Sequence, residues 1–230
     1  MLSCRSLGKT YQTDRGPVDA VRGVDLDVPA GRYAAVIGRS GSGKSTLMAM
    51  IGGLSRPTTG SILIDGADIW SQSDNAMARF RNRRIGYVFQ FASLLPTLRA
   101  IENVALPALL DRRSKASDPF DRAAQLMTDV GLESHFDAYP SEISAGEQRR
   151  AVIARALIND PILLLADEPT SDLDEQTERE IMALLLNVNC ERKTTLVLVT
   201  HNLALASEAE QVVQIADGAI VHEAVTSKGG

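Results

Sequence analysis

The sequence predicts an α/β protein built on a largely parallel β-sheet, and three observations lead to this prediction. Short apolar runs that end in turn residues alternate with stretches of helical periodicity along the chain. Two runs, PILLLAD (161–167) and TTLVLVT (194–200), are apolar at nearly every position, as expected for parallel strands covered on both faces. Strand patterns stop between about residues 91 and 158, which indicates a helical insert.

The other elements of the sheet follow from the same signals, in chain order. RYAAVIG (32–38) predicts a strand that enters a glycine-rich turn, and STLMAMIGGL (45–54) then predicts a helix. SILIDG (61–66) and RIGYVFQ (84–90) predict two further strands. Near the end of the chain, QVVQIADGAIVHE (211–223) predicts a hairpin that turns at an Asp-Gly pair.

Two helices are predicted inside the insert. SDPFDRAAQLMTDVGL (117–132) contains an Asp-Pro pair, a cap followed by proline at the first helical position. ISAGEQRRAVIARAL (143–157) opens with Ser144 and Glu147 in an S-x-x-E capping box. Apolar residues then recur at helical spacing, and three arginines lie off that stripe: Arg149, Arg150 and Arg155. The start of this helix is also a candidate anion site, because free amides and the helix dipole point at whatever lies before it.

Composition and charge narrow the class of protein. A chain of 230 residues predicts one or two domains, and its formal net charge of −5 argues against broad binding to nucleic acid or anionic membranes. The cysteines, Cys4 and Cys190, match no metal-binding spacing and favour a reducing compartment. With no signal-peptide core and no run near the roughly 18 residues of a membrane span, we expect a cytosolic protein or one held at a membrane by a partner. The basic RFRNRR cluster (79–84) is interpreted as a solvated helix face, with a phosphate or lipid contact as the alternative.

A phosphate-binding loop is the strongest motif in the chain. Residues 38–46, GRSGSGKST, fit the pattern G-x-x-x-x-G-K-[ST] between a predicted strand and a predicted helix. Gly41 and Gly43 let the backbone curl so that its amides face phosphate oxygens. Lys44 supplies a positive charge to the outer phosphates, and Ser45 offers a hydroxyl to Mg²⁺. The remaining loop residues are candidate nucleotide contacts: Gly38, Arg39, Ser40, Ser42 and Thr46.

Polar residues also follow two of the buried strands. Asp167 and Glu168 come directly after LLLA, at the carboxyl end of a strand, where ligands bind in open α/β sheets. Asp167 can hold the water shell of Mg²⁺, and Glu168 can orient or deprotonate an attacking water; a helix-capping acidic pair is the alternative. His201 follows TTLVLVT, where it either caps and packs or contacts the terminal phosphate.

Taken together, these residues resemble the ATP-binding cassette family over nearly the whole chain, from Tyr11 to about residue 222. GRSGSGKST resembles the Walker A loop, ILLLADEP the Walker B strand, and SDLD (171–174) the D-loop. Tyr11 is similar to the aromatic residue that stacks on adenine, Gln90 to the Q-loop glutamine, and His201 to the switch histidine. ISAGEQ is similar to the family signature, usually LSGGQ.

Two positions depart from the family pattern. Ala145 stands where the signature usually has its first glycine, and Arg39 replaces a frequent proline. Alanine still presents its backbone amide, so we expect the signature to function, although its loop is less permissive. Arg39 occupies a free position of the loop pattern and is expected to add a positive group near the nucleotide.

The resemblance implies one cassette with a phosphate-loop (RecA-like) mixed sheet core, an antiparallel β subdomain and a helical insert subdomain. Residues 1–90 and 159–223 would form the ATPase core, 91–158 the helical subdomain with the signature, and 224–230 a tail. ATP and Mg²⁺ are the implied ligands. Catalytic roles fall to Lys44, Gln90, Glu168 and His201, and metal contacts to Ser45, Gln90 and Asp167. Nucleotide contacts fall to Tyr11, residues 38–46, Gln90 and Asp167, and in a second subunit to Ser144, Ala145, Gly146 and Glu147.

The resemblance also implies partners. Two cassettes would form a homodimer that closes head to tail around ATP. The stretch 85–110 most resembles the lipoprotein-release and macrolide-export branch, whose members are ATPase subunits of machines acting across a bacterial inner membrane. Such a subunit would lie peripherally on the cytoplasmic side and contact a permease near Gln90–Pro96, where Phe91, Leu94 and Leu95 either pack inward or meet that partner. No nucleic-acid partner is expected, and a regulatory cassette that transmits force without transport is the alternative function.

Overall fold

The computed structural model describes residues 1–110 and 118–226, which fold into two β-sheets with helices packed on them. The strands in these ranges are β1 Leu2–Thr13, β2 Gly16–Val28, β3 Tyr33–Ile37, β4 Thr59–Ile64, β5 Ala67–Asp68, β6 Ile85–Val88, β7 Leu163–Asp167, β8 Thr195–Val199, β9 Gln211–Ala216 and β10 Ala219–Val225. The helices are α1 Lys44–Ile51, α2 Asp74–Arg84, α3 Ala100–Leu110, α4 Pro119–Asp129, α5 Ala145–Leu157, α6 Glu175–Arg192 and α7 Leu203–Ser207, with a 3-10 turn at Pro140–Glu142.

The larger sheet is mixed, with the strand order β10-β9-β3-β8-β7-β6. Neighbouring strands from β9 to β6 pair in parallel, whereas β10 pairs antiparallel with β9. Successive residues of the parallel strands enter two different hydrophobic cores. Leu163 and Leu165 belong to the core that contains α1 and the smaller sheet, while Leu164 and Ala166 belong to the core that contains α5 and α6. Both faces are therefore covered, which explains why the parallel strands are apolar at nearly every position.

The smaller sheet is antiparallel, with the order β2-β1-β4-β5. The sequence pattern predicted only β4 of this sheet as a strand. The register of β1 against β2 shifts between Cys4 and Leu7, between Leu7 and Lys9, and between Lys9 and Thr10. Such irregularities break the period-two alternation that identifies a half-buried strand, so β1 and β2 carry no regular signal.

Helices α3, α4 and α5 form the insert that the sequence predicts, and its described residues, 91–110 and 118–158, contain no strand. Asp118 caps α4 by accepting a hydrogen bond from the Phe120 amide at 2.8 Å; Ser117, which the prediction also included, lies outside the described residues. The predicted fold class, a mixed sheet core with an antiparallel sheet and a helical insert, is thus confirmed.

The C-terminal hairpin also forms as predicted. Asp217 and Gly218 both have positive φ, 48° and 79°, as a tight hairpin turn with two left-handed residues requires. Strand β10 continues through Val225 and so extends two residues into the stretch that the sequence assigns to a tail. Thr226 follows the strand, and the last four residues of that stretch, 227–230, lie outside the described residues.

None of the helices in the described ranges combines the length and the apolar character that a bilayer span requires.

Candidate functional site

Four neighbouring parallel strands, β3, β8, β7 and β6, end at one edge of the larger sheet, and this edge carries the candidate site. The phosphate loop follows β3, His201 follows β8, Glu168 follows β7 and Gln90 follows β6. Together they line a cleft of about 440 Å³. Its lining consists of Gly38, Ser40, Gly41, Ser42, Gly43, Lys44, Ser45, Thr46, Gln90, Glu168 and His201, together with Ala20. The structure therefore brings together most of the site residues that the sequence predicts.

The phosphate loop needs glycine at two positions for its backbone course. Gly41 and Gly43 have φ of 77° and 104°, a region that disfavours residues with a Cβ atom. A Cβ at Gly43 would also collide with the backbone carbonyl of Ala20, on β2. Ala20 is a site residue that the sequence analysis missed, because a backbone contact from another sheet leaves no side-chain signal.

The geometry of the loop fits the phosphate groups of a nucleotide. Helix α1 begins at Lys44, after the N-cap residue Gly43, and no side chain caps its amides. Nζ of the buried Lys44 donates to the carbonyls of Gly38 and Arg39, at 2.8 and 3.0 Å, and thus lies inside the loop. Oγ of Ser42 is buried and has no hydrogen-bond partner within the described part of the chain. Uncapped amides, an ammonium group and a free hydroxyl are the groups that bind phosphate oxygens.

Asp167 and Ser45 form the part of the site that fits Mg²⁺. The Ser45 hydroxyl is hydrogen-bonded to the Asp167 carboxylate. Burial raises the pKa of Asp167, the charge of Glu168 acts in the same direction, and the Ser45 hydrogen bond and the Lys44 charge act against them. Residues 1–110 and 118–226 contain no cluster of three metal-binding side chains. A hydroxyl, one carboxylate, phosphates and water suit Mg²⁺, which keeps several waters and relies on substrate phosphates.

Glu168 and His201 face each other across the cleft. Nδ1 of His201 lies 3.2 Å from Oε2 of Glu168. Glu168 has a φ of 45°, and its amide donates to the carbonyl of Val199 at 2.9 Å, which holds the residue in this sparsely populated conformation. The His201 side chain is 71% exposed and that of Glu168 22%, so the carboxylate is sheltered while the imidazole remains accessible.

Gln90 reaches the cleft from an irregular segment and not from a strand end, which corrects the prediction that the strand extends to residue 90. Strand β6 ends at Val88, because the next two carbonyls bond outside the sheet. Arg149 donates from Nη1 to the Phe89 carbonyl and from Nη2 to the Gln90 carbonyl, both at 2.6 Å. Arg149 is only 5% exposed, although it lies off the apolar stripe of α5. Burial lowers its pKa, and the charge of Asp172 acts in the opposite direction.

The signature residues lie apart from the cleft of their own chain. Residues 144–147 are not among those that line it. Ser144 caps α5: its Oγ accepts from the Glu147 amide at 3.3 Å, and its own amide donates to Oε2 of Glu147 at 2.7 Å, which confirms the predicted capping box. Gly146 packs so tightly on α6 that a Cβ there would lie 2.7 Å from Cγ2 of Thr177. Ser144 and Ala145 are exposed.

Three other predicted contacts also lie outside the cleft lining: Asp167, which interacts with the lining residue Ser45, and Tyr11 and Arg39. Tyr11 pairs with Val18 on the β1–β2 hairpin, is 40% exposed, and has Nζ of Lys9 5.0 Å from its ring centroid. β2 also supplies Ala20, so the hairpin borders the cleft. Arg39 contributes its backbone carbonyl to Lys44. The adenine contact of Tyr11 and the nucleotide contact of the Arg39 side chain stay predictions.

A larger groove of about 620 Å³ lies beside the Gln90 segment. We call it the apolar groove; its lining includes Tyr87, Phe89, Leu106, Pro107, Leu110, Arg79, Arg81 and Arg155. The rings of Tyr87 and Phe89 stack with centroids 4.0 Å apart. Of the three apolar residues predicted to pack inward or meet a partner, Leu94 is buried, whereas Phe91 is 71% and Leu95 45% exposed.

Comparisons with known proteins agree on one family. The family model described as "ABC transporter" matches residues 21–171. Lipoprotein-releasing system ATP-binding protein LolD of Syntrophotalea carbinolica is 46% identical over 220 residues, 96% of each chain. Macrolide export ATP-binding/permease protein MacB of Syntrophobacter fumaroxidans is 41% identical over 229 residues, which cover 97% of this chain and 31% of that protein. Among solved structures, the dimeric ATP-binding cassette MJ0796 bound to ADP and Pi is 35% identical, with a TM-score of 0.92 over 100% of both chains.

Proposed function

The chain belongs to the ABC transporter family, and on that premise we propose that it hydrolyses ATP to drive a separate membrane permease. It is an ATPase of the ABC type, and its relatives include proteins of lipoprotein release and macrolide export. The observation that carries the proposal is the cleft at the carboxyl edge of four parallel strands, where phosphate-binding and water-activating groups meet. The substrate class suggested by the relatives is a lipoprotein, lipid, peptide or drug that is exported or extracted.

We assign the chemical roles from the positions of the side chains. Lys44 exchanges its two carbonyl partners for outer phosphate oxygens, and the uncapped amides of α1 bind the same groups. Ser45, Asp167 and Gln90 would hold Mg²⁺, which would neutralise charge on the phosphates. Glu168 accepts a proton from the attacking water, and His201, 3.2 Å away, orients that carboxylate and contacts the terminal phosphate.

The position of the signature supports a head-to-tail homodimer. Ser144–Glu147 lie outside the cleft of their own chain, yet they begin a helix whose dipole favours an anion. A second subunit can bring this helix start over the phosphate loop, so that each ATP is enclosed by both chains. The 35% identical relative MJ0796 is itself dimeric.

The apolar groove is the surface we assign to the permease. It lies next to Gln90–Pro96, and exposed Phe91 and Leu95 extend the apolar surface beside it. An amphipathic helix in an apolar groove is a familiar mode of recognition. Three arginines and no carboxylate line the groove within the described residues, so we expect the docking helix to carry acidic side chains beside its apolar ones. Association with the permease would place the subunit peripherally on the cytoplasmic side of a bacterial inner membrane.

Co-purification with the permease tests this function. We expect the double variant Phe91→Ser/Leu95→Ser to keep the basal ATPase activity of the isolated subunit but to lose the permease and to uncouple ATP use from transport. Val221→Ser, which replaces a 57% exposed apolar residue on β10, serves as the matched control. Unchanged assembly and transport in the double variant would remove this surface from the mechanism, and loss of folding would assign both residues to core packing. ATP use that responds to the permease without movement of any cargo would favour the regulatory cassette.

A further inference from the structure

Arg149 joins two parts of the molecule that the proposed function uses separately. Its guanidinium donates at 2.6 Å to two consecutive carbonyls, those of Phe89 and Gln90, which lie about sixty residues earlier in the chain. The arginine itself lies on α5, just over one helical turn after the capping residue Ser144. One side chain therefore fixes the backbone of Gln90 to the helix that carries the signature.

This arrangement is costly, and packing alone does not account for it. Burial disfavours the charged guanidinium, Arg149 forms no ion pair within residues 1–110 and 118–226, and the charge of Asp172 offsets only part of the cost. Its Nε, which is also buried, has no hydrogen-bond partner there. A methionine of similar length would fill the space without burying a charge. What the arginine adds is a fork that holds two neighbouring carbonyls in one plane.

We propose that Arg149 is a positioning residue that sets the height of Gln90 over the cleft and links it to the movement of α5. The inference rests on the proposed role of Gln90 as a contact to Mg²⁺. The Gln90 side chain lines the cleft, while its carbonyl is held from behind by Arg149. When α5 moves to meet a second subunit, the backbone of Gln90 moves with it. The metal site then changes in step with the signature.

Arg155, on the same helix, makes a similar contact but does not bond to a residue of the nucleotide cleft. It also bonds to the segment after β6, donating to the carbonyl and hydroxyl of Ser93 at 2.7 and 2.8 Å. Ser93 lines the apolar groove and is not among the residues that line the nucleotide cleft. Arg155 therefore anchors the groove, and the link to the nucleotide runs through Arg149.

The test compares the Mg²⁺ dependence of ATP hydrolysis in Arg149→Met, Arg149→Lys, Gln90→Ala and the double variant Gln90→Ala/Arg149→Met. We expect Arg149→Met to raise the half-saturating Mg²⁺ concentration and to lower kcat, each by on the order of tenfold, as loss of an orienting partner does at metal sites. Binding of a fluorescent ATP analogue measured in EDTA should stay unchanged, because the phosphate loop is untouched. For Arg149→Lys, both quantities should lie between those of the wild type and of Arg149→Met, since one ammonium cannot hold two carbonyls as a fork. The double variant should be no worse than Gln90→Ala alone.

Arg150→Met is the matched control, because Arg150 is the next residue on α5 and its ion pair with Glu180 is long, at 3.9 Å. Effects of Arg149→Met that match this control, or that add fully to those of Gln90→Ala, would overturn the inference. The inference would also be overturned if Arg149→Met weakens nucleotide binding in EDTA by as large a factor as it lowers kcat. If Arg149→Met does not fold, the Arg149→Lys series decides by the same criteria. If Gln90→Ala keeps the wild-type half-saturating Mg²⁺ concentration, the proposed role of Gln90 is refuted, and this inference with it. If Gln90→Ala raises that concentration but Arg149→Met does not, the inference alone is refuted.

Discussion

The starts of helices α1 and α5 are alike in sequence and opposite in structure. Small residues mark both starts: SGSG precedes Lys44 at α1, and Ser144 precedes Ala145 and Gly146, the first residues of α5. Both helices also point a dipole at the residues before them. At α1 the capping position is Gly43, which has no side chain to offer, and its amides are left without a side-chain cap. At α5 Ser144 and Glu147 close the capping box on each other.

The difference indicates that the two helix starts bind phosphate at different stages. The α1 start is ready for an anion within a single chain. The α5 start already holds one, the carboxylate of Glu147, whose pKa is lowered first by the backbone hydrogen bond from Ser144 and then by its hydroxyl. On the proposed head-to-tail arrangement, a phosphate that reaches Ser144 has to compete with this carboxylate. Nucleotide binding can then precede dimer closure, and closure has to supply the energy that opens the capping box.

The largest effect we predict is at Glu168, where a substitution should separate ATP binding and dimer closure from hydrolysis. Glu168→Gln removes the proton acceptor but keeps the shape of the side chain, so ATP should bind while turnover falls by on the order of a hundredfold or more. A dimer trapped with ATP should accumulate, which steady-state turnover and size-exclusion chromatography in ATP will show. Glu133→Gln, a surface carboxylate in the insert, is the control. Wild-type hydrolysis by Glu168→Gln would show that the residue is not the base.

The next prediction removes the ready anion site at α1. Lys44→Ala deletes a charged donor to the outer phosphates, which should weaken ATP binding by about 10- to 100-fold, the usual cost of a charge-assisted hydrogen bond. Asp167→Asn should leave Mg²⁺-free binding nearly intact and weaken the Mg²⁺-dependent part. Equilibrium binding with and without Mg²⁺ separates the two, and circular dichroism checks the fold. Normal Mg²⁺-ATP affinity and turnover in both variants would count against this site.

A third prediction asks whether the two helix starts act across subunits. Lys44→Ala subunits lack a working phosphate loop, and Ser144→Arg subunits lack a working signature. Random mixing should give heterodimers with one intact composite site, so about a quarter of the wild-type sites should return. ATPase activity across mixing ratios measures this recovery. Mixtures that form dimers in ATP yet stay inactive at every ratio would argue that each chain uses its own signature.

The two helix starts also differ in how well the sequence predicted them. At α1 the motif identifies the loop. Continuous apolar runs locate the ends of the two strands at which Asp167, Glu168 and His201 lie, so most of the cleft could be predicted. The capping box at α5 could be predicted too, because its partners are three residues apart. These signals are local, and they survive wherever the chain places the element.

What the sequence did not reveal depends on distant contacts. Arg149 is buried against two carbonyls some sixty residues away, and helical periodicity, which sets it off the apolar stripe, gives no sign of this contact. The same contact ends β6 at Val88, two residues before the apolar pattern suggested. Strands β1 and β2 were missed because their bulges interrupt the alternation that identifies strands. In each case tertiary structure overrides the local pattern.

The smallest predicted effect concerns the charge of Glu147. Removing that charge should lower the stability of the subunit but favour ATP-driven dimerisation. Glu147→Gln keeps a hydrogen-bonding side chain at α5 but removes an anion from a helix N-terminus, so the free energy of unfolding of the subunit should fall by about half a kcal/mol. Because the folded state lowers the pKa of Glu147, its contribution is present at neutral pH and is lost as the pH falls through the folded pKa. The difference between the two proteins should therefore vanish in acid.

The same variant should make ATP-driven dimerisation easier, by a few-fold in the ATP concentration needed, because the incoming phosphate no longer meets a carboxylate. Glu142→Gln is the matched control, because Glu142 also accepts from the amide three residues earlier, that of Tyr139, at 2.7 Å at the start of a 3-10 turn. It should cost a similar stability and leave dimerisation unchanged. Urea unfolding at several pH values and sedimentation in an ATP series measure both effects. If Glu147→Gln weakens the dimer as it weakens the fold, the carboxylate helps to bind the second subunit, and α5 then meets its partner with the capping box closed.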